Sequence, residues 1–423
     1  MKYIRRIVDD ELDELLDGVA AVALEGPKAV GKTATALQRA RTVYEMDDPA
    51  QREISAADPA RLLTGDGPIL IDEWQRVPES WDLVRRAVDR DPTPNRFLLT
   101  GSANPDNPET HSGAGRIVRV RMRPLSLAER ALARPTVSLG DVLRGERPGV
   151  AGDSSVTLRE YTREITASGF PAIRRLTGRP LRAHLESYIT RVVDKDFREL
   201  GHPVRNPDLL VRWMKAYAAA SSTTATLETI RDAATSGEGS KPSRDSVLAY
   251  RSALERLWLL DPVPAWLPTR NQIARLTRPD KHQLVDPALA ASLLGMTAEA
   301  LLEGDDAGID IPRDGPFLGH LFESLVTQSV RVYAQAREAD VRHLRTKNGR
   351  HEVDLIVLRP DHRVVGIEVK LARSINDDDV KHLLWLRSAI GDDLLDAMVI
   401  TAGPHAYRRD DGIAVVPAAL LGP

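Results

Sequence analysis

Short apolar runs, each ending abruptly in small or charged residues, recur through the first 130 positions. Val19-Ala20-Ala21-Val22-Ala23-Leu24, Pro68-Ile69-Leu70-Ile71-Asp72-Glu73 and Arg96-Phe97-Leu98-Leu99-Thr100-Gly101-Ser102 all have this form. A strand buried on both faces of a parallel sheet reads as such an unbroken run. Thr42-Val43-Tyr44-Glu45-Met46 predicts a further strand, and Arg116-Ile117-Val118-Arg119-Val120-Arg121 alternates as a half-exposed one. Residues 1–17 and Thr33 to Ala40 carry helical patterning. The pattern predicts an α/β fold with a parallel sheet core.

Beyond residue 134 the rhythm changes. Residues 135–160 mix Pro, Gly and Ser with charges and read as a linker. From Leu158 to Leu200 a helical face runs through Leu181, Leu185, Tyr188, Ile189 and Val192. Residues 206–262 hold short helices interrupted by the polar Ser236–Pro242 stretch, a pattern that suits a winged-helix-like module. Few basic residues there would face a groove, so DNA binding is the lesser reading of that module. Near the end, Glu352–Leu358 and Val364–Lys370 read as two strands joined by a turn at Pro360-Asp361-His362. The expected domains are 1–134, a connector at 135–205, the helical module at 206–270 and an α/β domain at 271–423.

The strongest chemical signal lies between the first strand and the first core helix. Gly26-Pro27-Lys28-Ala29-Val30-Gly31-Lys32-Thr33 matches G-x-x-x-x-G-K-[ST], a loop whose backbone N–H groups wrap nucleotide phosphates. Gly26 and Gly31 allow close backbone approach and unusual dihedrals. Lys32 would reach the β- and γ-phosphates, and Thr33 would offer its hydroxyl to Mg²⁺. Asp72, ending a buried strand, would support the metal, and Glu73 would polarise an attacking water. Thr100, Ser102 and Asn104 could sense the γ-phosphate, with Ser102 preferred. Glu73 and the additional strand at 42–46 favour the ATPase branch of P-loop proteins over kinases and GTPases.

A second constellation closes the chain. In a hairpin of the last two predicted strands, Asp354 and Glu368 approach one another, and alternation puts Glu368 and Lys370 on one face. Glu323, on a preceding helix, would add a carboxylate. Two acids and a lysine suit metal-dependent phosphodiester hydrolysis. This D…E-x-K arrangement resembles restriction-endonuclease-like folds. The same residues also fit an ion-paired remnant.

Composition narrows the partners. The 423 residues carry a net charge of −3 and 28% charged residues, which predicts a globular protein without general attraction to nucleic acid. The absence of cysteine rules out disulfides and thiolate metal sites. No apolar run approaches membrane-span length and no signal-peptide core is present, so the cytoplasm is the expected compartment.

Taken in order, the phosphate loop, Ile69–Gln75, Leu98–Ser102, Pro124–Glu129, Gly169-Phe170-Pro171, Tyr188 to Asp196, His282–Pro287, Glu352–Asp354 and Glu368–Lys370 resemble prokaryotic AAA-type ATPases whose core is followed by a domain of unknown function (4143). The resemblance implies ATP and Mg²⁺ as cofactors, ATP hydrolysis, and nucleotide-driven movement of the C-terminal domains. It also supports the winged-helix expectation. Arg116 stands where the family has a similar Gly-Arg, which suggests an arginine finger for a neighbouring subunit, although strand periodicity explains it without chemistry. Alternatives are an ATP-gated nuclease acting on nucleic acid, or an ATP-binding switch that does not hydrolyse and serves a protein partner. Oligomerisation fits any of these readings.

Overall fold

The computed structural model describes residues 3–102, 114–201, 204, 206–235, 241–268, 278–302, 315–346 and 349–423. The chain forms two compact units, one from residues 1–123, 196–202 and 252–259, the other from 124–195, 203–251 and 260–423.

The first unit is built on the apolar runs. Strands β1 (Ala21–Glu25), β2 (Thr42–Glu45), β3 (Ile69–Asp72), β4 (Phe97–Gly101) and β5 (Val118–Arg121) form one sheet in the order β2-β3-β4-β1-β5. Every pairing is parallel, with Glu25 opposite Gly101 and Glu45 opposite Asp72. Strands β1, β3 and β4 are buried at every position, as unbroken apolar runs require. The parallel register brings the ends of β1, β3 and β4 to one sheet edge, where α/β folds hold ligands. Helix Glu79–Arg90 covers one face with Trp81, Val84, Ala87 and Val88, spaced three to four apart. Trp81 packs on Trp74 with ring centroids 4.6 Å apart. A Cβ on Gly101 would come within 2.6 Å of the Trp74 indole, so this strand end accepts only glycine without a shift.

The second unit holds an eight-stranded sheet in the order β7-β13-β14-β12-β11-β10-β9-β8. Its members are β7 (Gly152–Asp153), β8 (Ala265–Trp266), β9 (Asp340–Arg345), β10 (Glu352–Leu358), β11 (Val364–Lys370), β12 (Leu394–Thr401), β13 (His405–Arg408) and β14 (Ala414–Pro417). Strands β9, β10 and β11 run antiparallel, whereas β11, β12 and β14 run parallel. Helix Asp377–Ile390 makes the crossover from β11 to β12 and buries Val380, Leu383 and Leu386 on the sheet.

One expectation changes. The 135–160 segment is not a plain linker. Strand β6 (Val137–Ser138) pairs with β15 (Leu421–Gly422) near the C-terminus, helix Leu139–Leu143 follows, and β7 extends the large sheet. A two-residue strand is made by its distant partner, and local composition cannot announce it. Residues 206–262 give the helices Pro207–Ala219, Leu227–Ala233 and Arg244–Arg256, but no strand pair among the described residues.

The motifs at 124–130, 168–171 and 282–287 form the internal frame of the second unit. Asp286 is fully buried and accepts from the Ser168 hydroxyl at 2.6 Å, Gly169 N–H at 2.8 Å and Ala288 N–H at 3.0 Å. Arg130 donates to the Leu125 and Glu164 carbonyls at 2.9 and 2.8 Å. Replacing Asp286 by alanine leaves three donors without their acceptor. Asp286→Ala should lower the stability of this unit by at least about 2 kcal/mol, read as a fall in its urea midpoint; an unchanged midpoint would contradict the frame role.

Candidate functional site

Strand β1 delivers the chain into the loop Gly26–Gly31, which leads into helix Lys32–Ala36. Gly26 has φ 152°, and a Cβ there would lie 2.3 Å from the Met122 carbonyl oxygen. Gly31 has φ 107° and Ala29 φ 65°, so the loop needs left-handed backbone at both. Val30 is buried, and its carbonyl accepts from Arg6 at 3.1 Å, anchoring the loop from the N-terminal segment. The Lys32 ammonium donates to the Gly26 and Pro27 carbonyls, both at 2.9 Å. Burial pushes its pKa down to about 8, with Glu73 and Asp72 opposing the fall.

The acids lie across this edge from the loop. Asp72 accepts from the Thr33 hydroxyl at 2.7 Å and from the Thr100 hydroxyl, while burial raises its pKa. Glu73 takes a left-handed conformation, φ 54° and ψ 45°, that turns the chain just after β3. Its carboxylate accepts from Gln75 at 2.5 Å and from the Ser102 hydroxyl at 2.9 Å. Gln75 also donates to Ser102 at 3.2 Å. Ser102 therefore holds Glu73, and Thr100 holds Asp72 and the Glu73 N–H, the latter at 3.2 Å. Asn104 lies outside the described residues.

Lys28 points to another partner. Its ammonium pairs with Asp196 at 2.5 Å and Glu199 at 3.2 Å, two residues of the first unit more than 160 positions away. Arg116 lies two residues before β5, on the side of that strand away from the loop, and donates to Asp89 at 2.8 Å.

In the second unit the structure brings Glu323, Asp354, Glu368 and Lys370 together. Lys370 donates to Glu368 at 2.9 Å, and Asp354 accepts from Val369 N–H at 3.0 Å. A bulge sets Asp354 and Leu355 against His343 of β9 and turns the strand at this point. Between Glu323 and Asp354 stands Lys281, which sequence reasoning passed over. It is 1% exposed and donates to Glu323 at 2.8 Å and Asp354 at 3.1 Å. Burial works against its charge, yet Glu323 and Asp354 hold its pKa above that of ordinary lysine. Burial and the adjacent Asp354 charge drive Glu368 well above the usual carboxylate range. Among the described residues, no group of three or more His, Asp or Glu side chains is placed to hold a metal ion.

Comparison with known proteins places three matches along the chain. An AAA domain covers residues 19–131, a domain of unknown function (DUF8612) 158–300, and a domain of unknown function (DUF4143) 318–421. The chain thus carries an AAA domain and, C-terminal to it, a DUF4143 domain. Uncharacterized proteins of Mycobacterium bovis and Mycobacterium tuberculosis are each 26% identical over 425 residues, which span 98% of this chain and 83% of theirs. The AAA domain contains the loop and both acids, and DUF4143 contains Glu323, Asp354, Glu368 and Lys370. Lys281 falls in the DUF8612 match. No helix among the described residues is long and apolar enough to cross a membrane.

Three partnerships escaped the sequence reading. Gln75 follows Glu73 by two residues and could have been weighed as its clamp. Asp196 and Glu199 gave no signal toward Lys28, and Lys281 stood one residue before a quoted motif.

The Lys32 shift has a sign that can be measured. In the folded chain Lys32 loses its proton near pH 8, whereas the unfolded side chain keeps it to about 10.5. Between those values the unfolded state binds more protons, so stability rises with pH. The stability of wild type relative to Lys32→Met should therefore climb from about pH 8 to about pH 10, read from urea midpoints. A flat difference across that window would overturn the assignment.

Proposed function

We propose that this chain binds ATP with Mg²⁺ at Gly26–Thr33 and hydrolyses it. One observation carries the reading: the glycine-shaped loop, a buried lysine satisfied only by backbone carbonyls, the Thr33–Asp72 bond and Glu73 share one sheet edge. The donors fit the group. Backbone N–H groups of the loop would cradle the phosphates, Lys32 would exchange its carbonyl partners for phosphate oxygens, and Thr33 with Asp72 would hold the metal. Bound Mg²⁺–ATP supplies the electrophilic γ-phosphorus, its charge offset by the metal. Glu73, once freed from Ser102 and Gln75, would take the proton of an attacking water. Arg116, exposed and paired with Asp89, would serve as an arginine finger only toward the site of a neighbouring copy.

The Lys28 pairs supply a route for coupling nucleotide state to the later domains, because residues 196–202 lie in the first unit while the chain on either side belongs to the second. Phosphate oxygens would compete with Asp196 and Glu199 for Lys28, and losing that pair would free this segment. Linkage then requires that Asp196 weaken ATP binding.

Glu73→Gln should retain ATP binding while turnover falls by about 10²–10⁴-fold, the usual worth of a positioned general base. Equal turnover in the two proteins would sink the assignment. ATP binding without detectable hydrolysis in wild type would instead favour a switch serving a protein partner. Asp196→Asn should tighten ATP about fivefold or more in equilibrium titration; unchanged affinity would remove the proposed coupling.

A further inference from the structure

Lys281 takes no part in the nucleotide site, and its partners are the residues that resemble a metal-dependent nuclease. Its ammonium engages Glu323 Oε1 at 2.8 Å and Asp354 Oδ1 at 3.1 Å. These are the oxygens a divalent cation would need from helix Gly315–Gln335 and from β10. The second Asp354 oxygen is taken by Val369 N–H at 3.0 Å, and one Glu368 oxygen by Lys370 at 2.9 Å. Glu368 Oε1 is buried and without a hydrogen-bond partner. A hard divalent cation seeks several oxygens, and the two that Glu323 and Asp354 turn toward the centre of the cluster are held by the Lys281 ammonium.

Nor can the ammonium easily step aside. Lys281 is 1% exposed, and its main chain is bridged to Val263 in both directions at 2.8 and 2.9 Å. The next residue, His282, donates its N–H to the Thr223 carbonyl at 2.8 Å. Displacing the side chain would leave a buried lysine without counter-ions, the costly half of a broken ion pair. Two lysines, 281 and 370, face Glu323, Asp354 and Glu368, with Glu352 at the rim 3.9 Å from Lys281.

We propose that Lys281 is the resident cation of this cluster, so that the D…E-x-K residues work as a metal-free clasp and do not cleave phosphodiesters. The clasp ties helix Gly315–Gln335 to the β10–β11 hairpin and to the 281–287 segment. This proposal does not depend on ATP hydrolysis.

The test is Mn²⁺ binding to the full chain without nucleotide, followed by electron paramagnetic resonance and thermal unfolding. Any Mn²⁺ bound by wild type should be unaffected by Asp354→Asn, because it would sit at the phosphate loop. Lys281→Met vacates the cation position and should gain a Mn²⁺ at least about tenfold tighter than wild type shows there, with a matching rise in unfolding temperature. Asp354→Asn in that background should abolish the gain. Wild-type Mn²⁺ binding lost in Asp354→Asn would overturn the proposal, as would a folded Lys281→Met that gains no ion. If Lys281→Met does not fold, the comparison of wild type with Asp354→Asn decides alone.

Discussion

A charge removed from water must find a partner, and this protein meets that constraint in two opposite ways. Lys32 and Lys281 are both buried, at 5% and 1% exposure. Lys32 bonds only to neutral carbonyls, and its pKa falls to about 8. Lys281 bonds to two carboxylates, and its pKa rises. The first is hydrogen-bonded but has no anion against it, so an arriving anion would improve its free energy. The second has its anions already and gains nothing from a ligand.

The sheet of the first unit explains how an under-compensated lysine is tolerated. Strands β1, β3 and β4 are buried throughout, and their parallel register holds the loop, Asp72 and the Thr100–Ser102 end rigidly together. Apolar burial of this kind, worth roughly 25 cal/mol per Å², offsets local strain and a poorly solvated charge. The left-handed backbone at Ala29 and Glu73 belongs to the same account. Ser102 and Gln75 then restrain Glu73, so the proposed base is held by hydrogen bonds rather than left free.

Much of the first unit was legible in advance because its signals are local. An unbroken run such as Ile69-Leu70-Ile71 reports burial by itself, and the octet Gly26–Thr33 reports a backbone path through glycine spacing. Asp72 and Glu73 were readable because they follow such a run directly. The hairpin of Asp354 and Glu368 was also legible, since strand alternation places side chains with a period of two. Less was visible where a partner is remote. Strand β6 depends on β15, some 280 residues later, and Lys28 depends on Asp196. Short helices were expected in 206–262, and three are present, but no strand pair for the expected wing is seen among the described residues.

The amino-acid sequence alone determined the α/β core, the path of the Gly26–Thr33 loop and the acids that end β3, because dihedral freedom, strand burial and turn chemistry act between near neighbours. Tertiary structure decided which charges meet. It placed Lys281 between Glu323 and Asp354, and it sent Lys28 to Asp196 and Arg116 to Asp89. Electrostatic pairing falls off within a few ångströms and takes no account of distance along the chain, so only the folded chain could settle it.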